Sequence, residues 1–158
     1  MSPIFAVVAS RTTLAGCRAL SANRPLVDGR HHMLNDLVAR AFVAAGVPVA
    51  KVRVGLVHQD GNRPDGLALI PFEGGRSLTW DVTVACSTAE SHIDLAMQGP
   101  GCVAEMAACR KEAVYATLQT QFDFQPIAVD TLGPINESVT YFYRATRKGG
   151  LCCRPESA

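Results

Sequence analysis

The chain shows its clearest periodicity from Leu34 onward, where apolar residues recur every three or four positions. This is the spacing of one buried stripe along an α-helix. We expect the helix to begin near Arg30 and to end before Gly46 and Pro48, since Gly is a common C-terminal cap and Pro cannot continue a helix. The preceding residues, 1–29, have weak periodicity and many turn-forming residues, which predicts a loosely ordered approach segment.

Three strands are predicted after this helix, separated by turn signals. An Asp-Gly pair marks the first reversal and a Gly-Gly pair the second, and the third strand alternates apolar with polar residues. A second helix, rich in Ala, Glu, Lys, Met and Leu, follows, and a short apolar strand comes last, as is usual after a crossover helix. The predicted elements are strands at 49–57, 66–70 and 78–85, a helix at 102–121 and a strand at 126–130. The order αβββαβ is typical of an α/β domain.

Composition sets the size and the general class of the chain. Its 158 residues are 48% hydrophobic and 18% charged, which suits one globular domain and excludes a disordered tail or a coiled coil. Residues 1–63 hold eight of the 15 Lys and Arg residues but three of the 14 acidic residues. A basic half can favour a polyanionic partner, although Arg residues that only solvate the surface give the same count.

The six Cys residues show no disulfide framework and no Cys-x-x-Cys pair with partners at zinc-site spacing. We interpret them as free thiols in a reducing compartment, and we predict no zinc site. The apolar start of the chain is too short for a membrane anchor and lacks the basic region of a signal peptide. The expected protein is therefore intracellular, is not secreted and does not bind a membrane.

Two carboxylates stand out by their positions, Asp65 in a Pro-Asp-Gly tripeptide and Asp81 within the apolar third strand. If the second and third strands form a hairpin centred near Gly74, Asp65 lies opposite about residue 83 and Asp81 becomes its diagonal neighbour on the same face. Two such carboxylates can share one Mg²⁺, which prefers oxygen ligands. A turn role for Asp65 and a solvated strand face for Asp81 remain alternative interpretations.

Lys111 and Tyr115 lie four residues apart on the second predicted helix. They share a face with Ala104 and Ala108, whose small side chains allow this face to approach the sheet closely. An ammonium group there can orient a water or stabilise negative charge on a phosphate. The alternative is a solvated Lys beside a Tyr at the edge of the core.

The four His residues show no pattern that indicates a metal site. The pair His31-His32 has no His or Cys three or four residues away, and His58 and His92 stand alone. No Ser or Cys lies in the pattern of an activated nucleophile. The sequence therefore predicts neither a histidine metal site nor a hydrolase triad.

Five short segments of the chain occur in an order known from one protein family, and the resemblance covers roughly residues 17 to 135. They are Arg30-His31-His32-x-Leu34-Asn35-Asp36, Arg63-Pro64-Asp65-Gly66, Trp80-Asp81-Val82-Thr83-Val84, Ala107-Ala108-x-x-Lys111-x-x-x-Tyr115 and Pro126-Ile127-Ala128-Val129. In these segments the chain resembles the restriction-like endonuclease domain at the C-terminal end of the reverse-transcriptase polyproteins of certain non-LTR retrotransposons. The combination of Arg-Pro-Asp-Gly with Trp-Asp-Val-Thr carries most of this resemblance.

The resemblance implies the PD-(D/E)XK fold, an α/β, restriction-endonuclease-like αβββαβ core with a mixed sheet. This domain is expected at residues 30–135, and residues 136–158 are expected to form a divergent, frayed tail. The resemblance does not extend to the zinc-knuckle-like segment of the relatives, of which only Cys17 has a counterpart here.

The resemblance also implies roles for particular residues. Asp65 and Asp81 would bind Mg²⁺, or Mn²⁺ in its place, as the catalytic metal ligands. Thr83 stands where the standard motif has its Lys, and Lys111 on the next helix would substitute for that Lys, with Tyr115 as a further catalytic residue. Val114 stands where relatives have a second Lys before the Tyr.

The function that follows is metal-dependent hydrolysis of phosphodiester bonds, which nicks one strand of target DNA at a time. The hydrolase would act in the nucleus, and a reverse transcriptase encoded elsewhere is the expected partner because the chain itself carries no reverse-transcriptase motif. An inactive retroelement remnant, or a nucleic-acid-binding module with the same fold, is the alternative. The residues expected to contact DNA are Arg30, His31, Arg40 and Arg63.

Overall fold

The structure, a computed structural model, describes residues 24–51, 63–140 and 142 of the chain. Single helical turns fill several connections, including a one-turn α-helix at Ile93–Ala96 and a 3₁₀ turn at Leu118–Thr120. The longer elements follow the predicted order αβββαβ. They are α1 (Arg24–Ala44), β1 (Val49–Lys51), β2 (Gly66–Pro71), β3 (Ser77–Ala85), α2 (Cys102–Val114) and β4 (Phe122–Asp130).

The four strands form one mixed sheet in the order β1-β2-β3-β4. The first two pairings are antiparallel, and β3 pairs with β4 in parallel along nine residue pairs. Because parallel neighbours cannot be joined by a tight turn, α2 serves as the crossover between them. The predicted α/β class and mixed sheet are therefore confirmed.

Strand β3 lies at the centre of the molecule, and both of its faces are covered. On one face Trp80 is fully buried and stacks on Phe42 of α1, with ring centroids 4.9 Å apart. On the other face Ala104 and Ala108 of α2 are buried in a cluster with Ala128 of β4. These small side chains allow α2 to lie close against the sheet, as the sequence predicts, and β3 is enclosed between two helices.

Helix α1 begins at Arg24 rather than near Arg30, so the prediction of a loosely ordered segment is wrong for residues 24–29. The apolar stripe does not reach back this far, but Pro25 fits in the first turn because backbone N–H groups there have no partner within the helix. Residues 1–23 lie outside the described part of the chain. The predicted helix end is confirmed, since Gly46 adopts the left-handed conformation with a φ of +79°.

Helix α2 ends at Val114, well before the predicted residue 121, and β4 begins at Phe122 rather than at Pro126. Pro126 suggested a strand start, yet in the described part of the chain β4 is an edge strand, and an edge strand can hold a Pro. Only Val49–Lys51 of the first predicted strand is described, and its remaining residues, 52–57, lie outside the described ranges together with the first reversal.

The start of the predicted frayed tail is ordered and packs on the core. Asn136 is fully buried, and its Oδ1 accepts a hydrogen bond of 2.9 Å from the backbone N–H of Ala128. Residues 137–140 are helical, Val139 is buried, and the Phe142 ring contacts that of Phe42. The prediction of fraying is therefore wrong for residues 136–140, and residues 143–158 lie outside the described part. Within the described ranges, no helix is long and apolar enough to cross a membrane.

Candidate functional site

The pairing of β2 with β3 brings Asp65 next to Asp81. Close to the turn the pair Pro71↔Ser77 fits a hairpin centred on Gly74, as predicted, but an irregularity shifts the register before the pair Gly66↔Trp80. The backbone N–H of Asp65 donates to the Trp80 carbonyl at 2.9 Å. Asp65 therefore lies beside Asp81 and not opposite residue 83, which corrects the predicted register. The cause is additional β2 residues between the two pairs.

Asp65 is held by hydrogen bonds from two elements. Its Oδ2 accepts from the backbone N–H of Val82 at 2.8 Å and lies 2.9 Å from Nε2 of His31 on α1. Burial acts to raise the pKa of Asp65, but the hydrogen bonds from His31 and Val82 outweigh it, and the pKa lies below its usual value. Asp65 is therefore an ionised carboxylate at neutral pH.

Asp81 is the most deeply buried acid of the site, at 4% exposure. Burial raises its pKa to about 6, although the Lys111 ammonium lies only 2.5 Å from Oδ2. The neighbouring Asp65 carboxylate also acts to raise this pKa, because two close carboxylates repel each other when both are ionised. Asp81 is thus a buried carboxylate that is paired with the Lys111 ammonium and lies beside a second acid.

Lys111 reaches Asp81 from α2 and forms the outer wall of the site. Its side chain is 33% exposed, so the ammonium remains accessible from solvent. Tyr115 lies below it, buried against Phe124 with ring centroids 4.7 Å apart. Burial, followed by the nearby Asp81 carboxylate, raises the pKa of the Tyr115 phenol well above its usual value. Tyr115 therefore acts as a neutral phenol and as a wall of the site.

His31 joins the two carboxylates in one cluster. One ligand atom of each of His31, Asp65 and Asp81 lies within 4.8 Å of the others. The hydrogen bond to Asp65 raises the pKa of His31 above its usual value. The sequence analysis predicts a DNA contact for His31 and no histidine metal site, because it considers only ligands three or four residues away on the same helix. The partners here come from the sheet, which no local spacing reveals.

The donor set of this cluster fits a divalent cation. Two carboxylates supply the hard oxygen ligands that Mg²⁺ and Mn²⁺ prefer, and the imidazole adds a nitrogen ligand. The closeness of the two carboxylates supports the same conclusion, because Asp65 acts to raise the pKa of Asp81 and a divalent cation between the two acids would offset their repulsion. Asp65 and Asp81 are the residues that would hold such an ion.

The other predicted residues lie at different distances from this cluster. Arg30 immediately precedes His31 on α1 and Arg63 lies two residues before Asp65, and both make polar interactions. Arg40 lies nine residues beyond His31, about 14 Å along the helix axis, and its Nε donates to the Asp36 carbonyl. The structure thus places Arg30 and Arg63 near the cluster in the chain, whereas Arg40 is remote from it.

Thr83 is the strand residue for which the sequence analysis expects the Lys position of the standard PD-(D/E)XK motif. It lies two residues after Asp81 on the same face of β3, and its Oγ1 is buried without a hydrogen-bond partner in the described part of the chain. Lys111 provides the nearby cation from the facing helix instead. Comparisons with protein-family models and with curated proteins find no match for this chain.

Proposed function

We propose that this chain is a metal-dependent DNA endonuclease domain with a restriction-endonuclease-like core, which hydrolyses one phosphodiester strand at a time. The observation that carries the proposal is the meeting of Asp65, Asp81 and Lys111. The two carboxylates approach within 4.8 Å of each other, and the Lys111 ammonium lies 2.5 Å from Asp81. Two acids and a Lys are the groups that the resemblance to retroelement endonucleases implies.

The residues divide the work of hydrolysis between them. When bound, the divalent ion supplies a Lewis acid for the phosphodiester and makes a water more acidic. Asp65 and Asp81 would hold this ion in a partly buried position, where electrostatic interactions are stronger than in water. The Lys111 ammonium orients the attacking water and offsets negative charge that develops on the phosphate.

The location of the cluster allows a DNA backbone to reach it. Lys111 and His31 are each about one-third exposed, so the site is open on the side where these two residues lie. Arg30 and Arg63, which flank His31 and Asp65 in the chain, supply positive charge for phosphate contacts. Contacts of this kind position the backbone without selecting a base sequence.

The resemblance also supports a retroelement origin, a nuclear location and a reverse transcriptase encoded elsewhere as the partner. Such a partner would supply DNA synthesis after the nick, for which the chain carries no motif. The nicking activity itself needs only DNA and the metal ion. It can therefore be tested on the purified chain alone.

The test is nicking of supercoiled plasmid in Mg²⁺ or Mn²⁺, with EDTA as the metal-free control. Asp65→Asn and Asp81→Asn keep the side-chain shape but remove the charge, and each is expected to lower the nicking rate by about 100-fold or more. Asp94→Asn is the matched control, because Asp94 is exposed and outside the cluster. Nicking that persists in EDTA, or in both cluster variants, would contradict the proposal.

The same experiment separates the proposal from a folded remnant without activity. A chain that unfolds cooperatively but does not nick DNA in either metal would be such a remnant. Its expected property is DNA binding that weakens as salt rises, since phosphate contacts release counterions. Loss of affinity in Arg63→Gln would then identify the binding face.

A further inference from the structure

The imidazole of His31 is directed to the carboxylates by the packing of its own helix. One turn further along α1, the buried Asn35 accepts a hydrogen bond of 3.0 Å from Nε1 of Trp80 on β3. This bond anchors the helix to the strand that carries Asp81. As a result Nε2 of His31 lies 2.9 Å from Oδ2 of Asp65.

We propose that His31 is the third protein ligand of the ion bound by Asp65 and Asp81, and that its nitrogen makes the site prefer Mn²⁺ to Mg²⁺. This inference rests on the metal site of the proposed function. It assigns His31 to metal binding instead of to a DNA contact. It also predicts which of these two ions binds more tightly.

The separation between the donor atoms matches the geometry of a metal site. Two ligands at right angles around an octahedral Mg²⁺, each at about 2.0–2.1 Å, lie about 2.9 Å apart. The distance between Nε2 of His31 and Oδ2 of Asp65 is also 2.9 Å. An ion that binds both atoms would release the proton between them, and the imidazole would turn so that its lone pair points to the ion.

Asp81 completes the set of donors. The ligand atoms of the three residues lie within 4.8 Å of one another, slightly more than the about 4.2 Å across an octahedral ion. Asp81 is almost fully buried, and its Oδ2 is paired with the Lys111 ammonium. One carboxylate oxygen of Asp81 would bind the shared ion, and the Lys111 ammonium would remain beside the carboxylate as the second positive charge.

The nitrogen ligand gives the metal preference. Mg²⁺ is a small hard ion that prefers oxygen and gives up its water reluctantly, so an imidazole gains little by replacing one of its waters. Divalent transition ions accept imidazole more readily. A site with two carboxylates alone would show little of this discrimination, and His31 adds it.

His32 provides a matched control on the same helix. It is exposed, and its ring meets that of His31 edge to face, with centroids 5.7 Å apart, but it is not part of the donor cluster. Both side chains can be replaced by Gln, which keeps a polar side chain of similar length. A change seen in His31→Gln and absent in His32→Gln is therefore specific to the cluster.

The direct test is pulsed electron paramagnetic resonance of Mn²⁺ bound to the full chain, which detects a coordinated imidazole nitrogen. The wild type and His32→Gln should show the nitrogen signal, and uniform ¹⁵N labelling of histidine should change it. His31→Gln should lose it. A wild-type signal without histidine nitrogen would overturn the proposal, and this measurement does not depend on any variant folding correctly.

Affinity measurements test the preference. Mn²⁺ should bind about tenfold more weakly to His31→Gln than to the wild type, whereas Mg²⁺ affinity, measured by competition, should change by about twofold or less. Equal loss for both ions would overturn the claim of selectivity. Thermal unfolding of both variants in EDTA verifies that each is folded.

These results are distinguishable from failure of the endonuclease proposal. Nicking that depends on Asp65 and Asp81, without histidine nitrogen on the ion, would remove His31 as a ligand and leave the nuclease in place. Histidine coordination in a chain that does not nick DNA would establish the metal site and remove the nuclease. Absence of any Mn²⁺ binding would remove the proposed site itself.

Discussion

Asp81 shows how one buried residue couples the stability of the chain to pH. Its carboxyl lies inside the central strand, and burial raises its pKa to about 6 from the ordinary value of 3.8. Between these two values the folded chain keeps a proton that the unfolded chain has lost. The free energy of unfolding therefore falls as pH rises through this window. The buried charge is retained at a cost, which is characteristic of a site built for chemistry.

Asp81→Asn removes this cost and should make the metal-free chain more stable at neutral pH. We expect its free energy of unfolding to exceed that of the wild type by about 2 kcal/mol at pH 7, with the difference disappearing near pH 4. Urea unfolding at several pH values in EDTA measures this. Parallel curves for the two proteins would show that the Asp81 proton does not contribute.

Gly66 is a second residue whose identity the structure explains. A Cβ at this position would lie 2.0 Å from the Trp80 ring, so Gly66→Ala must displace the tryptophan beside the site. We expect the free energy of unfolding to fall by about 3 kcal/mol, as for overpacking of a rigid core.

Gly29→Ala in α1 is the comparison. A Cβ at position 29 meets no atom within 4 Å, so this change should raise the free energy of unfolding by about 0.5–1 kcal/mol. Chemical denaturation compares the two, and equal effects would contradict this assignment.

At the scale of elements, α1 is more than a cover for the sheet. Its apolar stripe packs on β3, its buried Asn35 binds Trp80, and its next turn toward the N-terminus carries His31 to Asp65. Helix α2 also both covers the sheet and positions a side chain, on the opposite face. Its buried alanines allow close approach to the sheet, and its Lys111 reaches Asp81. The position of each functional side chain thus depends on one packed helix.

Asn35→Ala tests the anchor of α1. The change leaves the buried indole N–H of Trp80 without its acceptor, which should lower the free energy of unfolding by about 2 kcal/mol. Asp36→Ala is the control, since Asp36 is exposed and its carboxylate pairs with Lys51 on the surface, and its loss should leave stability unchanged. Thermal unfolding gives both values, and an undiminished melting temperature in Asn35→Ala would show that the anchor is dispensable.

At the scale of the whole molecule, the cluster exists only when distant segments are folded together. His31, Asp65, Asp81 and Lys111 come from α1, the segment before β2, β3 and α2, so both helices and the sheet must be in place. Strand β3 joins these contributions because it is covered on both faces. Partial unfolding of either helix would therefore remove the site even if the sheet survived.

Lys111→Met separates the contribution of α2 from that of the metal ligands. The apolar replacement removes the ammonium that lies beside Asp81, and we expect the nicking rate to fall by about 100-fold while Mn²⁺ binding persists. Arg110→Gln is the control, because Arg110 is the exposed neighbour on the same helix. Unchanged nicking in Lys111→Met would exclude Lys111 from the chemistry.

Local patterns in the sequence were sufficient for the order and type of the elements. The stripe from Leu34, the stop at Gly46 and the turn at Gly74 each depend on neighbours within a few residues, and the structure has a helix, a helix end and a reversal at these places. The start of α1 was not visible, because residues 24–29 do not continue the apolar stripe. The packing of residues 136–140 on the core could also not be predicted, because their burial depends on contacts with distant strands.

The site was determined jointly by sequence and tertiary structure. The positions of Asp65 and Asp81 indicated a shared site, and the resemblance implied a role for Lys111. The predicted register placed Asp65 opposite the wrong residue, because the irregularity in β2 has no local signal. The sequence analysis set His31 aside because its partners are far away in the chain. The sequence by itself determines the chemistry of each side chain and the short-range periodicity that predicts helices and strands. Register, burial on both faces of β3 and the meeting of a helix with two strands depend on packing between distant segments, so only the tertiary structure decided them.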